Sequence, residues 1–330
     1  MRSFVIMRTL RIAFSDFWPG FNPADCRIWG ALGRHYHLVL SSDFNEADLL
    51  IFGDFGTDHW QFKGRKAYLT GENMLPDFEQ CDLAFTPAEI PGDRRAVRFP
   101  YYAQIIQDPS GLLRPPGYDA SPHLDRKGFC SFVVSNPMCR MRNRVFKKIR
   151  RSREVASGGR HFNNMGGPVA DKMAFLLNYR FNIACENSRS PGYITEKLVE
   201  PLMAGAIPIY WGAPDVYRDF NPGCMLNVSD FRSLGDLVSE LRRLDDDKDA
   251  RLRMLQAPVF QGNRLPECMS DAHLSLPLID LIENRAPASR RYRSRRLREH
   301  LLKNESYMTY KFRKVVCRME IFMWNSGLRF

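Results

Sequence analysis

The fold of this chain is decided by one stretch, Phe181-Asn-Ile-Ala-Cys-Glu-Asn-Ser-Arg-Ser-Pro-Gly-Tyr-Ile-Thr-Glu-Lys-Leu-Val-Glu-Pro-Leu-Met-Ala-Gly-Ala-Ile-Pro-Ile-Tyr-Trp-Gly212. Short apolar runs alternate here with turn residues, which predicts a strand at residues 181–185, a helix at 194–204 and a strand at 207–211. Strand–helix–strand units of this length form parallel sheets covered by helices. The stretch therefore predicts an α/β fold.

The same alternation extends over most of the chain. Four further strands are predicted in the first third, at residues 10–14, 37–40, 48–52 and 66–69. After a Pro/Gly-rich segment at residues 108–117, the pattern restarts with a strand at 129–134 and helices at 143–151, 169–178, 231–244 and 247–256. Such a segment between two blocks is typical of an interdomain linker. The sequence thus predicts two Rossmann-like domains, residues 1–118 and 119–284, facing each other across a cleft.

The remaining segment, residues 285–330, differs in charge and pattern. It holds 13 Lys/Arg and 3 Asp/Glu, whereas residues 1–284 hold 35 basic and 34 acidic residues. Between its cations, apolar residues recur at three- and four-residue steps, namely Met308, Phe312, Val315, Met319 and Phe322. This pattern predicts a basic amphipathic helix, which is expected at an anionic membrane surface; packing of the same apolar stripe on the protein body is the alternative.

Composition excludes several classes of protein. The two predicted domains are nearly neutral, so a nucleic-acid-binding core with basic surface on the fold is not expected. None of the 8 cysteines stands in a Cys-x-x-Cys pair, which favours buried thiols over zinc or a disulfide framework. Arginines interrupt the apolar residues at the N-terminus, so no signal peptide is expected, and no apolar run approaches the roughly 20 residues of a membrane span. We therefore expect a cytoplasmic protein, peripheral on the inner face of the membrane.

Polar residues gather where the first strand of the quoted stretch ends. Glu186 and Asn187 directly follow that strand, and ligands of open α/β sheets bind at the carboxyl ends of the strands. The next helix opens near Thr195, where free backbone N–H groups and the helix dipole favour a phosphate. Lys197 lies in the first turn of this helix, where its positive charge is unfavourable beside the positive end of the helix dipole. A bound anion would offset that cost. Taken alone, Lys197 would also fit a capped helix with surface charges.

At these residues the sequence resembles a known family, the α1,3/α1,4-fucosyltransferases of glycosyltransferase family 10, and within it the bacterial Lewis-antigen-type enzymes. Four ordered blocks carry the resemblance: Gly192-Tyr-Ile-Thr-Glu-Lys197 with Ile207-Pro-Ile-Tyr-Trp-Gly212, Thr70-Gly-Glu-Asn73, Gly128-Phe-Cys-Ser-Phe-Val-Val-Ser-Asn-Pro137 with Arg142-Asn143, and Asp219-Phe-Asn-Pro222. It implies a GT-B-like fold in which the first domain binds the acceptor and the second binds GDP-fucose. It also implies an inverting transfer of fucose to a hydroxyl, O3, of an N-acetylglucosamine unit in a glycan or glycolipid.

The resemblance further implies the residues of the donor site. Arg142 and Lys197 would bind the pyrophosphate of GDP, and Asn187 and Tyr193 would line the donor pocket. Glu196 would bind the ribose hydroxyls or lie near the fucose. These roles make chemical sense, because the planar fork of Arg suits bidentate phosphate contact and fixed cations stabilise a leaving diphosphate.

A carboxylate of the first domain, Glu72, matches the general base that is proposed for the family. It follows the predicted strand at residues 66–69, so its side chain is expected to project from a sheet edge and to accept the proton of the attacking hydroxyl. No Asp-x-Asp metal site is expected, because Asp245-Asp-Asp247 is interpreted as a solvated turn. The prediction is an enzyme that needs no metal or other cofactor and uses GDP-fucose as its donor substrate.

Trp18 is the predicted acceptor contact. It lies just past the first predicted strand, where an aromatic face could stack on the C–H face of a sugar ring, although core packing is the more common fate of a tryptophan. The expected acceptor is a lipopolysaccharide or glycolipid at the inner membrane. Two alternatives stay open: a glycosyltransferase of the same fold that uses another nucleotide sugar, and a non-catalytic basic protein that binds membranes or nucleic acid.

Overall fold

The computed structural model describes residues 7–284, so the predicted basic tail lies outside the described residues. These residues form two compact units. The first unit runs to Gln104 and resumes at Glu267, and the second unit is Ile105–Pro266. No helix within residues 7–284 is long and apolar enough to cross a bilayer, and none of the seven cysteines in that range forms a disulfide.

The first unit is built on a six-stranded parallel sheet. Its strands are β1 (Thr9–Ser15), β2 (His37–Leu40), β3 (Leu49–Phe52), β4 (Arg65–Leu69), β5 (Leu83–Thr86) and β6 (Ala96–Arg98), in the order β2-β1-β3-β4-β5-β6. The helices α1 (Arg27–Leu32) and α2 (Tyr101–Ile105) follow β1 and β6. All four residues of β3 are buried, as expected of an inner strand covered on both faces. The chain leaves β1 towards β2 and then returns to its other side as β3, so the topological switch point lies between β1 and β3.

The second unit is built on a five-stranded parallel sheet. Its strands are β7 (Gly128–Phe132), β8 (Val155–Ser157), β9 (Tyr179–Cys185), β10 (Ile207–Trp211) and β11 (Leu226–Asn227), in the order β11-β10-β9-β7-β8. The helices of this unit are α3 (Arg140–Arg150), α4 (Lys172–Leu176), α5 (Glu196–Met203), α6 (Leu234–Asp246) and α7 (Lys248–Gln256). Here the switch point lies between β7 and β9. The α/β class with parallel sheets is thus confirmed.

One helix joins a different unit from the one that the sequence predicted. The helix α8 (Asp271–Asn284) was included in the predicted domain at residues 119–284, but it packs on α1 in the first unit. The hydroxyl of Tyr36 donates to Glu283 at 2.7 Å, and Arg27 donates to the carbonyl of Met269 at 2.6 Å. The apolar face of α8 is buried there, because Leu274 is 0% exposed. An apolar helix face specifies burial but not the sheet that buries it, so the sequence alone could not assign α8.

Candidate active site

The carboxyl ends of β7 and β9 are joined by one buried arginine. Arg142, in the first turn of α3, is 0% exposed. Its Nη1 donates to the carbonyl of Cys185 at 3.2 Å, and its Nη2 donates to the carbonyl of Asn136 at 2.6 Å. These carbonyls follow the two strands that flank the switch point of the second unit. Arg142 therefore connects the two strand ends at the switch point, which is where parallel α/β sheets bind ligands.

The same guanidinium fixes a predicted donor-site residue. Nη1 of Arg142 also donates to the side-chain oxygen of Asn187 at 2.9 Å. Nε of Arg142 is buried with no hydrogen-bond partner among the residues that the structure describes. Because three of its five N–H groups are used, Arg142 can contact a diphosphate directly through Nε, through the second N–H of Nη2, or by exchanging one of these hydrogen bonds. A buried, unpartnered donor is costly unless a ligand completes it.

The first turn of α5 is anchored to the end of β9. Thr195 is the N-cap, and its backbone N–H and its hydroxyl donate to the carboxylate of Glu186 at 2.8 and 2.6 Å. Thr195 and Glu186 are both buried, at 2% and 0% exposed. A helix N-terminus is a ready-made anion site. In this protein the N-terminus of α5 is held at the carboxyl edge of the sheet by the carboxylate of Glu186.

Lys197 lies within this cluster, with 15% of its side chain exposed. Its Nζ lies 2.7 Å from Glu196 Oε1, 3.3 Å from Thr195 Oγ1 and 3.8 Å from Glu186 Oε2. Burial lowers the pKa of Lys197, but the neighbouring carboxylates of Glu186 and Glu196 outweigh it and hold that pKa above its usual value. Lys197 therefore stays charged near neutrality, and its curled side chain explains why a cation is tolerated in a first helical turn.

Glu186 is the most deeply buried carboxylate of this cluster. Complete burial raises its pKa to about 7, although Lys197 opposes the shift. Space for its side chain comes from Gly212, where a Cβ would lie 2.4 Å from Cγ of Glu186 and 2.5 Å from the hydroxyl of Tyr210. The glycine at the end of β10 is therefore needed for close approach. Buried carboxyl groups whose pKa is shifted towards neutrality cluster at functional sites.

The other predicted donor residues adjoin this cluster. Tyr193 is 4% exposed and directly precedes the N-cap segment of α5. Glu196 keeps 28% of its side chain exposed. Burial would raise the pKa of Glu196, but the contact with Lys197 holds it below its usual value. The structure thus brings Glu196 and Lys197 together and joins Asn187 to Arg142.

Glu72 lies in the first unit, in the loop that follows β4. It is half-buried, and its backbone N–H donates to the hydroxyl of Thr70 at 3.0 Å. Thr70 in turn donates to Asp54 at 2.5 Å, and the hydroxyl of Tyr68 donates to the other oxygen of that carboxylate. Asp54 therefore ties the loop that carries Glu72 to the loop after β3. Both loops lie at the carboxyl edge of the first sheet.

An aromatic platform occupies the switch point of the first sheet. Its members, Phe17, Trp18, Phe21 and Phe55, follow β1 and β3. Phe17 and Phe21 stack with centroids 3.9 Å apart, and Trp18 meets Phe21 and Phe55 edge-on at 5.2 and 6.1 Å. Trp18 and Phe55 are each 42% exposed, so neither ring is packed in the core. The platform therefore presents apolar ring surface to solvent where a ligand is expected.

The platform rests on a buried Asp–His pair. Asp16 has a φ of 60° and accepts from Nδ1 of His59 at 2.5 Å, with both side chains 1% exposed. The other ring nitrogen of His59 contacts Gln80 at 2.8 Å. The carbonyl of Asp16 accepts from the N–H of Phe55 at 2.7 Å. These contacts lock the loops after β1 and β3 together, so the platform is preorganised.

Sequence reasoning did not include several of these residues among its site residues. The signal that could have identified them is their position at the end of a strand or the start of a helix, which is shared by Glu186, Thr195, Asp54 and Phe55. Their partners could not be read from the sequence, since each contacts a residue from another segment. Within residues 7–284, no group of three or more His, Cys, Asp or Glu side chains is arranged to hold a metal ion.

Family comparisons match both units. Residues 12–105 match the family described as the N-terminal domain of alpha-(1,3)-fucosyltransferase FucT. Residues 124–256 match glycosyltransferase family 10 (fucosyltransferase), C-terminal part. All of the predicted site residues lie within these two matched ranges.

Individual relatives point the same way. Alpha-(1,3)-fucosyltransferase FucT of Helicobacter pylori is 29% identical over 283 residues, which are 74% of this chain and 59% of that protein. This chain therefore spans about three-fifths of the length of that relative. Alpha-(1,3)-fucosyltransferase B of Drosophila melanogaster is 41% identical over 90 residues, 27% of this chain and 20% of that protein.

Solved structures extend the similarity to the fold. A crystal structure of an alpha1,3-fucosyltransferase with GDP-fucose superposes with a TM-score of 0.70 and 25% identity, covering 87% of this chain and 94% of that one. A crystal structure of an alpha1,3-fucosyltransferase with GDP gives a TM-score of 0.72 and 26% identity at the same coverage.

Proposed function

Because this chain belongs to the fucosyltransferases of glycosyltransferase family 10, we propose that it transfers fucose from GDP-fucose to a sugar hydroxyl with inversion at the anomeric carbon. The observation that carries the proposal is the cluster at the N-terminus of α5, where Lys197 and the helix dipole face an edge of the sheet that suits a diphosphate. Support for this donor also comes from the similarity to an alpha1,3-fucosyltransferase solved with GDP-fucose.

The proposed chemistry uses fixed charge at the leaving group. As the bond from the anomeric carbon to the phosphate oxygen breaks, negative charge develops on the diphosphate, and Lys197 stabilises it. Glu196 receives the ribose hydroxyls or lies beside the fucose, and Tyr193 and Asn187 line the pocket. Arg142 contributes by holding Asn187 and the two strand ends. Glu72 accepts the proton of the acceptor hydroxyl as it attacks the opposite face of the fucose.

A donor screen with the purified full chain tests this function. The protein is incubated with labelled GDP-fucose and N-acetyllactosamine, and separately with UDP- and ADP-sugars. We expect transfer from GDP-fucose to O3 of the N-acetylglucosamine unit, and GDP as the tightest competitor of donor binding. Tighter binding of UDP or ADP than of GDP would instead favour a glycosyltransferase with another donor.

We place the acceptor on the aromatic platform, at Trp18. Replacing Trp18 by alanine is expected to raise the KM for the acceptor about tenfold, because stacking of a ring face contributes on the order of 1 kcal/mol or more. Trp18→Phe keeps an aromatic face and should recover most of the loss. Steady-state kinetics with the acceptor varied measure both variants. Equal acceptor KM in Trp18→Ala and the unmodified protein, or an equal rise in the KM for GDP-fucose, would rule this placement out.

We further propose that residues 285–330 hold the enzyme at an anionic membrane surface on the cytoplasmic side, close to lipopolysaccharide or glycolipid acceptors. The support is the excess of 13 Lys/Arg over 3 Asp/Glu and the apolar spacing of this segment. Removing residues 285–330 should abolish co-sedimentation with vesicles containing phosphatidylglycerol and leave transfer to a soluble acceptor unchanged. Vesicle binding that survives the truncation would contradict the proposal.

A further inference from the structure

The cluster around Lys197 contains more negative charge than a diphosphate site would be expected to tolerate. Glu186 and Glu196 both face Lys197, at 3.8 and 2.7 Å. A bound diphosphate would add at least two further negative charges beside them. Glu196 is partly exposed and can be solvated, whereas Glu186 is 0% exposed and cannot move its charge into water. Like charges in one buried site disfavour ionisation of both.

We propose that Glu186 is the internal counter-anion of Lys197 in the free enzyme, and that it takes up a proton from the solvent when the diphosphate of the donor binds. The diphosphate then replaces Glu186 as the anion that balances the charge of Lys197. The proposal rests on the proposed donor site. In it Glu186 is a positioning residue, because it acts on the donor through Lys197 and Thr195.

The hydrogen bonds of Glu186 are compatible with both protonation states. When ionised, it accepts from the N–H and from the hydroxyl of Thr195. When protonated, its Oε2–H can donate to the hydroxyl oxygen of Thr195, which lies 2.6 Å away, while Oε1 still accepts from the N–H. The N-cap of α5 is therefore kept in place through the change of charge.

The groups that face Glu186 do not titrate in its place. The facing groups are Lys197 and Glu196 from α5, Tyr210 from β10 and Cys185 at the end of β9, with Arg142 acting on Lys197 and Asp215 on Tyr210. Burial raises the pKa values of Tyr210 and Cys185. The pKa of Lys197 is raised and that of Glu196 is lowered, so both pKa values are shifted away from pH 7. The pKa of Glu186 at about 7 allows it to gain a proton there.

Isothermal titration of GDP-fucose, in the absence of acceptor, tests the proposal. Both phosphates of GDP-fucose are diesters, so the ligand itself does not titrate near neutrality. Heats measured in PIPES, HEPES and Tris at one pH give the number of protons taken up. We expect uptake of on the order of half a proton at pH 7 and close to one at pH 8, because a group with a pKa near 7 is half and then mostly ionised in the free protein. By linkage, affinity should fall roughly tenfold between pH 7 and pH 8.5.

Two variants separate Glu186 from other groups. Glu186→Gln keeps the volume but cannot titrate, so we expect no proton uptake and a flat affinity profile between pH 7 and pH 8.5. Glu240→Gln, at an exposed helix ion pair, makes the same substitution elsewhere and should retain the uptake. His161, whose pKa is held below its usual value by burial and by Arg142, can also gain a proton beside a bound anion. Because Glu186→Gln retains His161, loss of the uptake in that variant assigns the proton to Glu186.

The possible outcomes distinguish the two proposals. GDP-fucose binding without proton uptake in the unmodified protein overturns the role of Glu186 and leaves the donor assignment standing, even if Glu186→Gln fails to fold. Equal uptake in Glu186→Gln and the unmodified protein overturns it as well. An absence of GDP-fucose binding at every pH overturns the proposed function and this inference with it.

Discussion

Replacing Lys197 by methionine is expected to lower kcat/KM for GDP-fucose by about 100- to 1,000-fold, which corresponds to about 3 to 4 kcal/mol of transition-state stabilisation. Methionine keeps much of the length of the side chain but removes the charge. The loss is large because Lys197 has only 15% of its side chain exposed, so water cannot replace it beside the developing charge. Initial rates at varied GDP-fucose concentration measure the effect.

A matched control uses another lysine that forms an ion pair. Lys248 contacts Asp125 at 2.6 Å, but 65% of its side chain is exposed. Lys248→Met should leave kcat/KM within a factor of two, since exposed ion pairs contribute little. Lys197→Arg restores the charge with a different shape and should recover part of the rate. If Lys197→Met kept a third or more of the activity with an intact fold, the proposed stabilisation of the leaving group would be wrong.

Replacing Glu72 by glutamine is expected to reduce kcat by about 100- to 10,000-fold, the usual contribution of a general base. The substitution preserves size and removes the ability to accept a proton. The backbone hydrogen bond from Glu72 to Thr70 is unaffected, so the loop should stay in place. The affinity for GDP-fucose should be unchanged, because the proposed donor residues all lie in the second unit.

The control for Glu72 comes from the same unit. Glu79 is exposed and lies further along the same connection between β4 and β5, and Glu79→Gln should transfer fucose at the normal rate. The two measurements for Glu72→Gln are the rate of transfer and the dissociation constant of GDP-fucose. Normal transfer would remove Glu72 from the mechanism, and a parallel loss of donor affinity would indicate a binding role instead of a base.

Much of the fold could be predicted from local pattern. The predicted strands at residues 37–40 and 207–211 coincide with β2 and β10, because a short apolar run bounded by turn residues has few other stable arrangements. Four strands, β5, β6, β8 and β11, were not predicted. Of these, β6, β8 and β11 have only two or three residues, which is too short for a period to show. Their pairing with a longer neighbour, and not their own propensity, makes them strands.

The sequence predicted where the residues of the proposed donor site lie relative to strands and helices, but not which of them contact each other. The sequence placed Lys197 at a helix start and Glu186 after a strand, and both positions are as the structure has them. It gave no sign that Glu186 accepts hydrogen bonds from the N-cap Thr195 and faces Lys197, because Glu186 and Lys197 are eleven positions apart and separated by a loop. It predicted Arg142 as a phosphate ligand, which stays a prediction, and it did not show that Arg142 is buried between two strand ends.

By itself, the sequence determined the α/β class, the segments that carry polar groups at strand ends, and the family resemblance, since all of these depend on residues close together in the chain. Only the tertiary structure decided the strand orders, the unit to which α8 belongs, and the burial of Glu186 and Arg142. The physical reason is that burial is a property of the neighbours. A carboxylate becomes a proton acceptor near pH 7 only after distant segments have excluded water from it.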